Sequence, residues 1–261
     1  MRHLRFSYRA VTQFSVPVTW HYFKLRCRPC RNACQKLSSH RLVVSPDAVI
    51  STGTDSWGNA IHYGGIIDPH TSLSYESRGT VFTHDYAIPL ADDETVGIYK
   101  VQSALTAMSA EMEIFRQAVP AAGDSIEYAS ALAHALHSYM AYAPQSTHNT
   151  TSAAQAFTQR SGVCQDYSHI LIALCRASGI VARYAAGMIP GEGATHAWVE
   201  VLDRRHGVWR AIDPTNDLVV ADHGYIKLAH GRDVGDCPVN RGSFRGCAMQ
   251  STQIAVTVEE M

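Results

Sequence analysis

Cys164 stands where a glycine turn meets the start of a helix, in the run SGVCQDYSHILIALCRAS over residues 161–178. The unpaired N–H groups and partial positive charge of a helix N-terminus stabilise a thiolate, lowering the thiol from its ordinary pKa of about 8.5. Gly162 is expected to give the tight turn, and the Cys164 backbone N–H is then available to an oxyanion. Position suits Cys164 to nucleophilic chemistry better than the other six cysteines. Packing, half a disulfide and a metal ligand are the competing uses of such a thiol.

A cysteine nucleophile needs a base, and the base needs an orienting group. His196 lies in ATHAWVEV and Asp213 in WRAIDPTN. A hairpin whose turn is centred on Arg204 and Arg205 sets His196 opposite Asp213 on one face, with Cβ atoms about 4.5–5.5 Å apart. A slip of two residues keeps that face, whereas a slip of one destroys it. A carboxylate there can receive an imidazole N–H. Each residue also has a plainer use: a small buried cysteine, a core histidine, and an aspartate that forms the turn before proline.

Neighbouring residues are weighed the same way. Asp166, in the first turn of the helix, fits capping as well as catalysis. His169 lies more than a turn beyond Cys164 and is expected to brace the core. Trp198 should share the face of His196, either lining a cleft or filling the core. Gln155 and Gln159 are both candidates for a second oxyanion donor. Glu192, Glu200, Asp203 and Asp217 read as scattered charges, Glu200 and Asp203 as solvated strand ends, with no acidic cluster beside the reactive motifs to collect an ammonium group. CRPCRNAC holds Cys27, Cys30 and Cys34, one thiol short of a usual zinc set, with His21 and His40 the nearest extra ligands. Cys175 reads as core. Cys237 and Cys247 could approach each other, but a disulfide between them is not expected in a reducing compartment.

The elements that must position these groups follow from hydrophobic periodicity. Leu4, Phe6 and Tyr8 alternate with polar residues, as do Thr19, His21, Phe23 and Leu25, which predicts strands. Turn signals recur at SPD (45–47) and DSWGN (55–59), where Gly58 or Asn59 can take positive φ. Residues 1–90 read as a small antiparallel β domain, a sandwich, and IPLADDET (88–95) marks its boundary with residues 91–261. Beyond it the period changes. Ile126, Ala129, Leu132, Ala133, Leu136, Tyr139 and Met140 form one helical stripe behind an Asp124 N-cap with Glu127 three residues on. A weaker helix is expected over Ser103 to Ala118. After Cys164 a helix carries Tyr167, Ile170, Leu171 and Leu174 on one face and ends at Gly179. IVARYAAGM, THAWVEVL and GVWRAID then read as successive strands. Helices followed by an antiparallel sheet make the class α+β.

SGVCQDYSHILIALCRASGIVARYAAG, THAWVEV and WRAIDPTND closely resemble the core of the transglutaminase-like superfamily. LRCRP, DSWGN and PHTSLSYES resemble the β domain that precedes this core in bacterial members, and residues 231–246 resemble the segment following it. The resemblance implies a papain-like core in which Cys164, His196 and Asp213 form a catalytic triad. It also implies cysteine-dependent acyl chemistry on amides of a peptide or protein substrate, with hydrolysis preferred to amine transfer. Protein-glutamine crosslinking is the alternative within that chemistry. No cofactor is implied, and no run of alternating carboxylates suggests a calcium site. Two further readings stay open: a binding module that keeps the fold without the chemistry, and a zinc protein built on the Cys27 cluster.

Composition bounds these readings. The 261 residues are 46% hydrophobic and 17% charged, with 22 Lys plus Arg against 23 Asp plus Glu and 14 His. That near-neutral balance offers no basic stripe for nucleic acid and no basic amphipathic segment for a membrane surface. The opening MRHLRFSYRAVTQFSV lacks the apolar core of a signal peptide, and no run approaches the roughly 18 apolar residues of a membrane span. Seven cysteines, an odd number, fit a reducing compartment, so a cytoplasmic location is expected.

Overall fold

The computed structural model describes residues 1–91, 95–121, 123–221 and 224–261. The N-terminal alternation forms one long strand, β1 (Arg2–Leu25), followed by β2 (Gln35–Ser45), β3 (Ser51–Thr54), β4 (Ala60–Ile66) and β5 (His70–Thr83). Leu4, Phe6, Tyr8, Ala10, Thr12 and Phe14 are buried along its first half, at a period of two. Between Gln13 and Val18 the register breaks, and Trp20 takes a φ of 51°. β5 pairs with the stretch before this irregularity and β4 with the stretch after it. A single strand therefore runs through both halves of a curled antiparallel sheet of order β2-β5-β1-β4-β3.

The chain continues through β6 (Ala87–Pro89), α1 (Ala110–Ala118), α2 (Ser125–Tyr139), β7 (Ala141–Tyr142), α3 (Ala153–Gln159), β8 (Ser161–Gly162) and α4 (Cys164–Ala177). Then come β9 (Ala182–Met188), β10 (His196–Asp203), β11 (Val208–Asp213), β12 (Leu218–Val220) and β13 (Ile226–Gly231). These five strands form a second antiparallel sheet, order β12-β11-β10-β9-β13, with β6 on β11. The fold is mixed α and antiparallel β, as the sequence pattern predicts. Residues 92–94 of the expected IPLADDET boundary lie outside the described residues. The last strands, β14 (Asn240–Arg245) and β15 (Gln250–Glu260), return to the first sheet and pair along β1.

Several local signals are realised. Asp124 and Glu127 make a reciprocal capping box on α2. Gly179 and Gly58 take φ of +76° and +82°. The helix expected from Ser103 is shorter, since Ser109 caps α1 by accepting from the Met112 N–H. Ser103 and Thr106 satisfy one another's backbone N–H groups instead, a local bonding pattern that competes with helix formation.

α4 is buried from Asp166 to Arg176 and packs against α2, α3, β9 and β10. Its last turn is held by Arg176, whose guanidinium donates to the carbonyls of Tyr99, Val101, Ala182 and Arg232. The two sheets share one core: Met188, Ile226 and Leu228 of the second pack among Leu4, Phe6 and Tyr8 of the first. Glu200, expected as a solvated strand end, is fully buried between them. It accepts from Arg183 Nε at 2.6 Å, Tyr86 Oη at 2.6 Å and Lys227 Nζ at 2.7 Å. Burial raises its carboxyl, but the Lys227 and Arg183 charges outweigh that and hold it low. Backbone bonds from Lys227 to the Gln35 side chain continue the link into β2. No helix among the described residues is long and apolar enough to cross a membrane.

Candidate active site

Cys164 opens α4, directly after β8. Gly162 is needed there for room rather than for a turn. It lies in an extended strand beside Tyr142 of β7, and a Cβ on it would meet the Asp166 Cβ and Oδ2 at 2.7 Å. Asp166 fills that space because its Oδ2 accepts from the Val163 N–H at 2.8 Å and from Thr147 Oγ1 at 2.6 Å. Burial pushes its carboxyl up, opposed by these bonds. Asp166 thus fastens the turn that presents Cys164, and its contacts are those of a cap.

His196 begins β10 and is almost wholly buried. Its Nε2 is 2.7 Å from Asp213 Oδ2. Burial lowers its basicity, but the Asp213 hydrogen bond and the adjacent Cys164 outweigh burial, raising the imidazole to about 10. The other ring nitrogen, Nδ1, is buried without a hydrogen-bond partner and faces the cleft that Cys164 lines. Asp213 accepts a hydrogen bond from Nε2–H, so the proton that His196 gains or gives up sits on Nδ1, on the thiol side.

The hairpin register differs from expectation by two residues. Val199 faces Ile212 and Asp203 faces Val208, so Asp213 is diagonal to His196 rather than opposite it. The turn is longer because Asp203, expected at a solvated strand end, is buried and accepts from the backbone N–H groups of Arg205 and His206, while Gly207 takes a φ of +63°. An even shift preserves the face, and the imidazole spans the diagonal.

Asp213 is fully buried and heavily solvated by protein groups. Tyr225 Oη donates to Oδ2 at 2.6 Å and Asn216 Nδ2 at 2.8 Å, while the Thr215 and Asn216 N–H groups donate to Oδ1 at 2.9 and 3.2 Å. Burial favours the neutral acid, yet the bond from His196 and these donors together hold the carboxyl below its usual range. Trp198 is core: fully buried behind His196, it donates Nε1 to Tyr86 Oη at 3.1 Å. His169 is a buried brace whose Nε2 accepts from the Val234 N–H. Neither glutamine faces the thiol. Gln155 completes the α3 cap with Ser152, and Gln159 donates to the Ser146 carbonyl.

The three cysteines of CRPCRNAC part company. Cys27 lies in the first sheet's core, the Cys30 thiol donates to the Leu228 carbonyl, and that of Cys34 donates to Asn32 Oδ1. Among the described residues no three His, Cys, Asp or Glu side chains are grouped to hold a metal. All seven cysteines are free thiols, Cys237 and Cys247 included.

Residues 113–214 match the transglutaminase-like superfamily core, and residues 4–82 match the bacterial transglutaminase-like N-terminal region. The chain therefore carries a transglutaminase-like core behind a bacterial transglutaminase-like N-terminal region. A protein of uncharacterized function from Mycobacterium tuberculosis is 29% identical over 91% of this chain and 86% of its own. One from Mycobacterium leprae is 23% identical over 95% of each. The fold matches that of a candidate cysteine protease from Cytophaga hutchinsonii, with a TM-score of 0.82 at 23% identity over 100% of this chain and 91% of that one.

Two groups of this transglutaminase-like site are missing from the sequence reading, and a third, Glu192, was read there only as a scattered charge. Tyr225 and Asn216 bind Asp213, and Glu192 reaches His196, its Oε1 being 4.0 Å from Nδ1. Asn216 had a signal, since a side-chain amide three residues past an aspartate readily closes a turn. Tyr225 and Glu192 arrive from separate loops and had none. The cleft holding Cys164 and His196 has a volume of about 560 Å³. Its far wall is the first sheet, through Tyr8, Thr12 and Leu73, with Phe244 and Ile254 from the returning strands.

Proposed function

We propose that the protein is a cysteine-dependent acyl hydrolase that cleaves amide bonds of peptides or proteins through a thioester. Cys164 is the nucleophile, His196 the base and later the acid, and Asp213 the group that fixes the imidazole. The observation that carries this reading is the divided imidazole: Nε2 is bound to a buried carboxylate, and Nδ1 is unpartnered beside a thiol at a helix N-terminus. The Cys164 thiolate attacks the carbonyl carbon, forming the C–S bond, while its backbone N–H faces the developing oxyanion. The C–N bond breaks as Nδ1–H gives its proton to the departing nitrogen. Water, deprotonated by Nδ1, then attacks the thioester, releasing the acid and restoring the thiol. Hydrolysis rather than transfer is supported by the cleft being open to solvent at Cys164, which is only half-buried.

Limiting iodoacetamide near pH 6 followed by peptide mapping tests the assignment. Cys164 should be alkylated well ahead of the other six cysteines, because it is a half-buried thiol at a helix N-terminus lining the same cleft as the His196 base. Uniform labelling, or faster labelling of Cys30 or Cys34, would remove Cys164 from this role.

A further inference from the structure

His21, a candidate zinc ligand by sequence, is buried in the first-sheet wall of the cleft that holds Cys164. Its Nδ1 is 3.1 Å from His70 Nε2, and His70 Nδ1 is 2.9 Å from the Asp68 carbonyl. That carbonyl can only accept, so His70 carries a proton on Nδ1. With both rings neutral, His70 Nε2 then accepts from the His21 Nδ1–H. This chain of bonds leaves a lone pair on His21 Nε2, which has no hydrogen-bond partner among the described residues. Burial lowers the basicity of His21, and the neighbouring His70 adds to that, so the lone pair stays unprotonated at neutral pH. Phe14 and Phe244 pack edge-on against the ring, with centroids at 5.3 and 5.9 Å, and fix its plane.

β14 runs beside this acceptor. The Arg26 N–H donates to the Val239 carbonyl at 2.7 Å, and the register continues through Lys24 with Arg241 and Tyr22 with Ser243. Ladder bonds recur at every second residue, so Arg241 and Ser243 turn their main chain towards β1, while Asn240 and Gly242 turn theirs away. Among the described residues β14 pairs only with β1, which leaves that edge open. Asn240, Gly242 and Phe244 line the cleft. Gly242 keeps the acceptor reachable: a Cβ there would lie 3.1 Å from His21 Nε2 and 2.9 Å from the Tyr22 carbonyl. Arg241 and Arg245 both lie on this six-residue strand, and their charge opposes its pairing with the same edge of a second copy. A neutral main chain meets no such penalty, and the described lining of the cleft holds no Lys or Arg and one carboxylate, Glu192. We propose that β14 and His21 form a docking strip for an extended peptide, which adds to the Gly242 edge as a strand and gives one backbone N–H to His21 Nε2. The inference rests on Cys164 being the nucleophile, and it narrows the substrate to an extended or unfolded segment that reaches the thiol as a strand.

Alkylation of Cys164 by iodoacetyl-trialanine amide tests this without a known substrate. Extended, its peptide reaches about 10 Å beyond the thiol. Each rate is divided by the reagent's own rate with glutathione, then by the corresponding value for iodoacetamide on the same variant, so differences in intrinsic reactivity cancel. The normalised peptide rate should be about tenfold above that of iodoacetamide in the wild type, at subsaturating concentration. Replacing one backbone N–H at a time by an ester oxygen removes a donor without adding bulk. At one position the ester should lose about fivefold or more, because its oxygen then faces the His21 lone pair. His21→Phe should erase that loss, and Gly242→Ala should lower the normalised peptide rate about fivefold. Equal normalised rates for iodoacetamide, the peptide and all its esters overturn the proposal, a result that needs no variant. An ester loss that persists in His21→Phe, or an unchanged rate in Gly242→Ala, overturns it as well. A dimer in sedimentation that Gly242→Ala disperses would assign the edge to a second copy, which also overturns it. Slow labelling of Cys164 by iodoacetamide refutes the nucleophile assignment instead, while the pattern among the esters still reads the strip.

Discussion

Replacing Asp213 with Asn separates the imidazole's orientation from its charge. In the wild type, Oδ2 receives three side-chain donors, from His196, Tyr225 and Asn216, and Oδ1 receives two backbone N–H groups. The asparagine oxygen must stay on the two backbone donors, which cannot rotate, so its NH₂ takes the Oδ2 position. Tyr225 can turn its hydroxyl to accept and Asn216 can flip its amide, but His196 can accept only by moving its proton to Nδ1. That removes the lone pair facing Cys164. Losing one charge-assisted hydrogen bond to the imidazolium costs about 1.5–3 kcal/mol, or about ten- to a hundredfold in the thiolate–imidazolium population. Iodoacetamide alkylation of Cys164 at pH 6 should slow by that factor. Turnover, once a substrate is in hand, should fall further, by about 10³–10⁴, as in other triads that lose the tautomer. Stability should drop by about 2 kcal/mol in urea titrations, and by about 3–5 kcal/mol in Asp213→Ala, which leaves buried donors unmatched. The stability difference between wild type and Asp213→Asn should depend on pH with a definite shape. His196 is raised in the fold, so its share is complete below its unfolded value near 6.5 and fades as pH climbs towards about 10. Asp213 is lowered, so its share is complete above its unfolded value near 3.9 and fades as pH falls below it. The difference should therefore peak between about pH 4 and 6.5. A flat difference, together with wild-type alkylation in the Asn variant, would refute the orienting role.

Glu200→Ala should cost about 3–5 kcal/mol in urea unfolding, since it removes the carboxylate that the buried Lys227 ammonium binds; a loss under 1 kcal/mol would show that the cluster relaxes to water. Gly162→Ala should lower stability by about 1–3 kcal/mol and slow Cys164 alkylation, because the new Cβ displaces the Asp166 cap; unchanged alkylation would uncouple the cap from the thiol. Millimolar primary amines added to a hydrolysis assay should yield mainly free acid by mass spectrometry, and an excess of amide adduct would make the enzyme an amine transferase.

What the sequence carries of this protein is local or periodic. The cysteine at a helix start, the capping box of α2 and the inward alternation of β1 depend on residues within a turn or a strand of one another, so short-range physics decides them. The shared face of His196 and Asp213 was also legible, because side chains alternate with a strict period of two. The register was not: whether Asp203 would close a longer turn depends on its burial, and a shift of two leaves the periodic signal unchanged. Glu200 shows the limit most clearly. Its strand pattern is compatible with solvent or core, and only the arrival of Arg183, Lys227 and Tyr86 makes burial of its charge tolerable. Tyr225, which fixes Asp213, and Glu192, which faces the reactive nitrogen, lie on loops whose paths are set by packing between the two sheets. The cleft itself exists because β14 and β15 cross back to β1 over more than two hundred residues of chain. Contacts at that separation are chosen by burial of the whole apolar surface, which no local run of residues encodes.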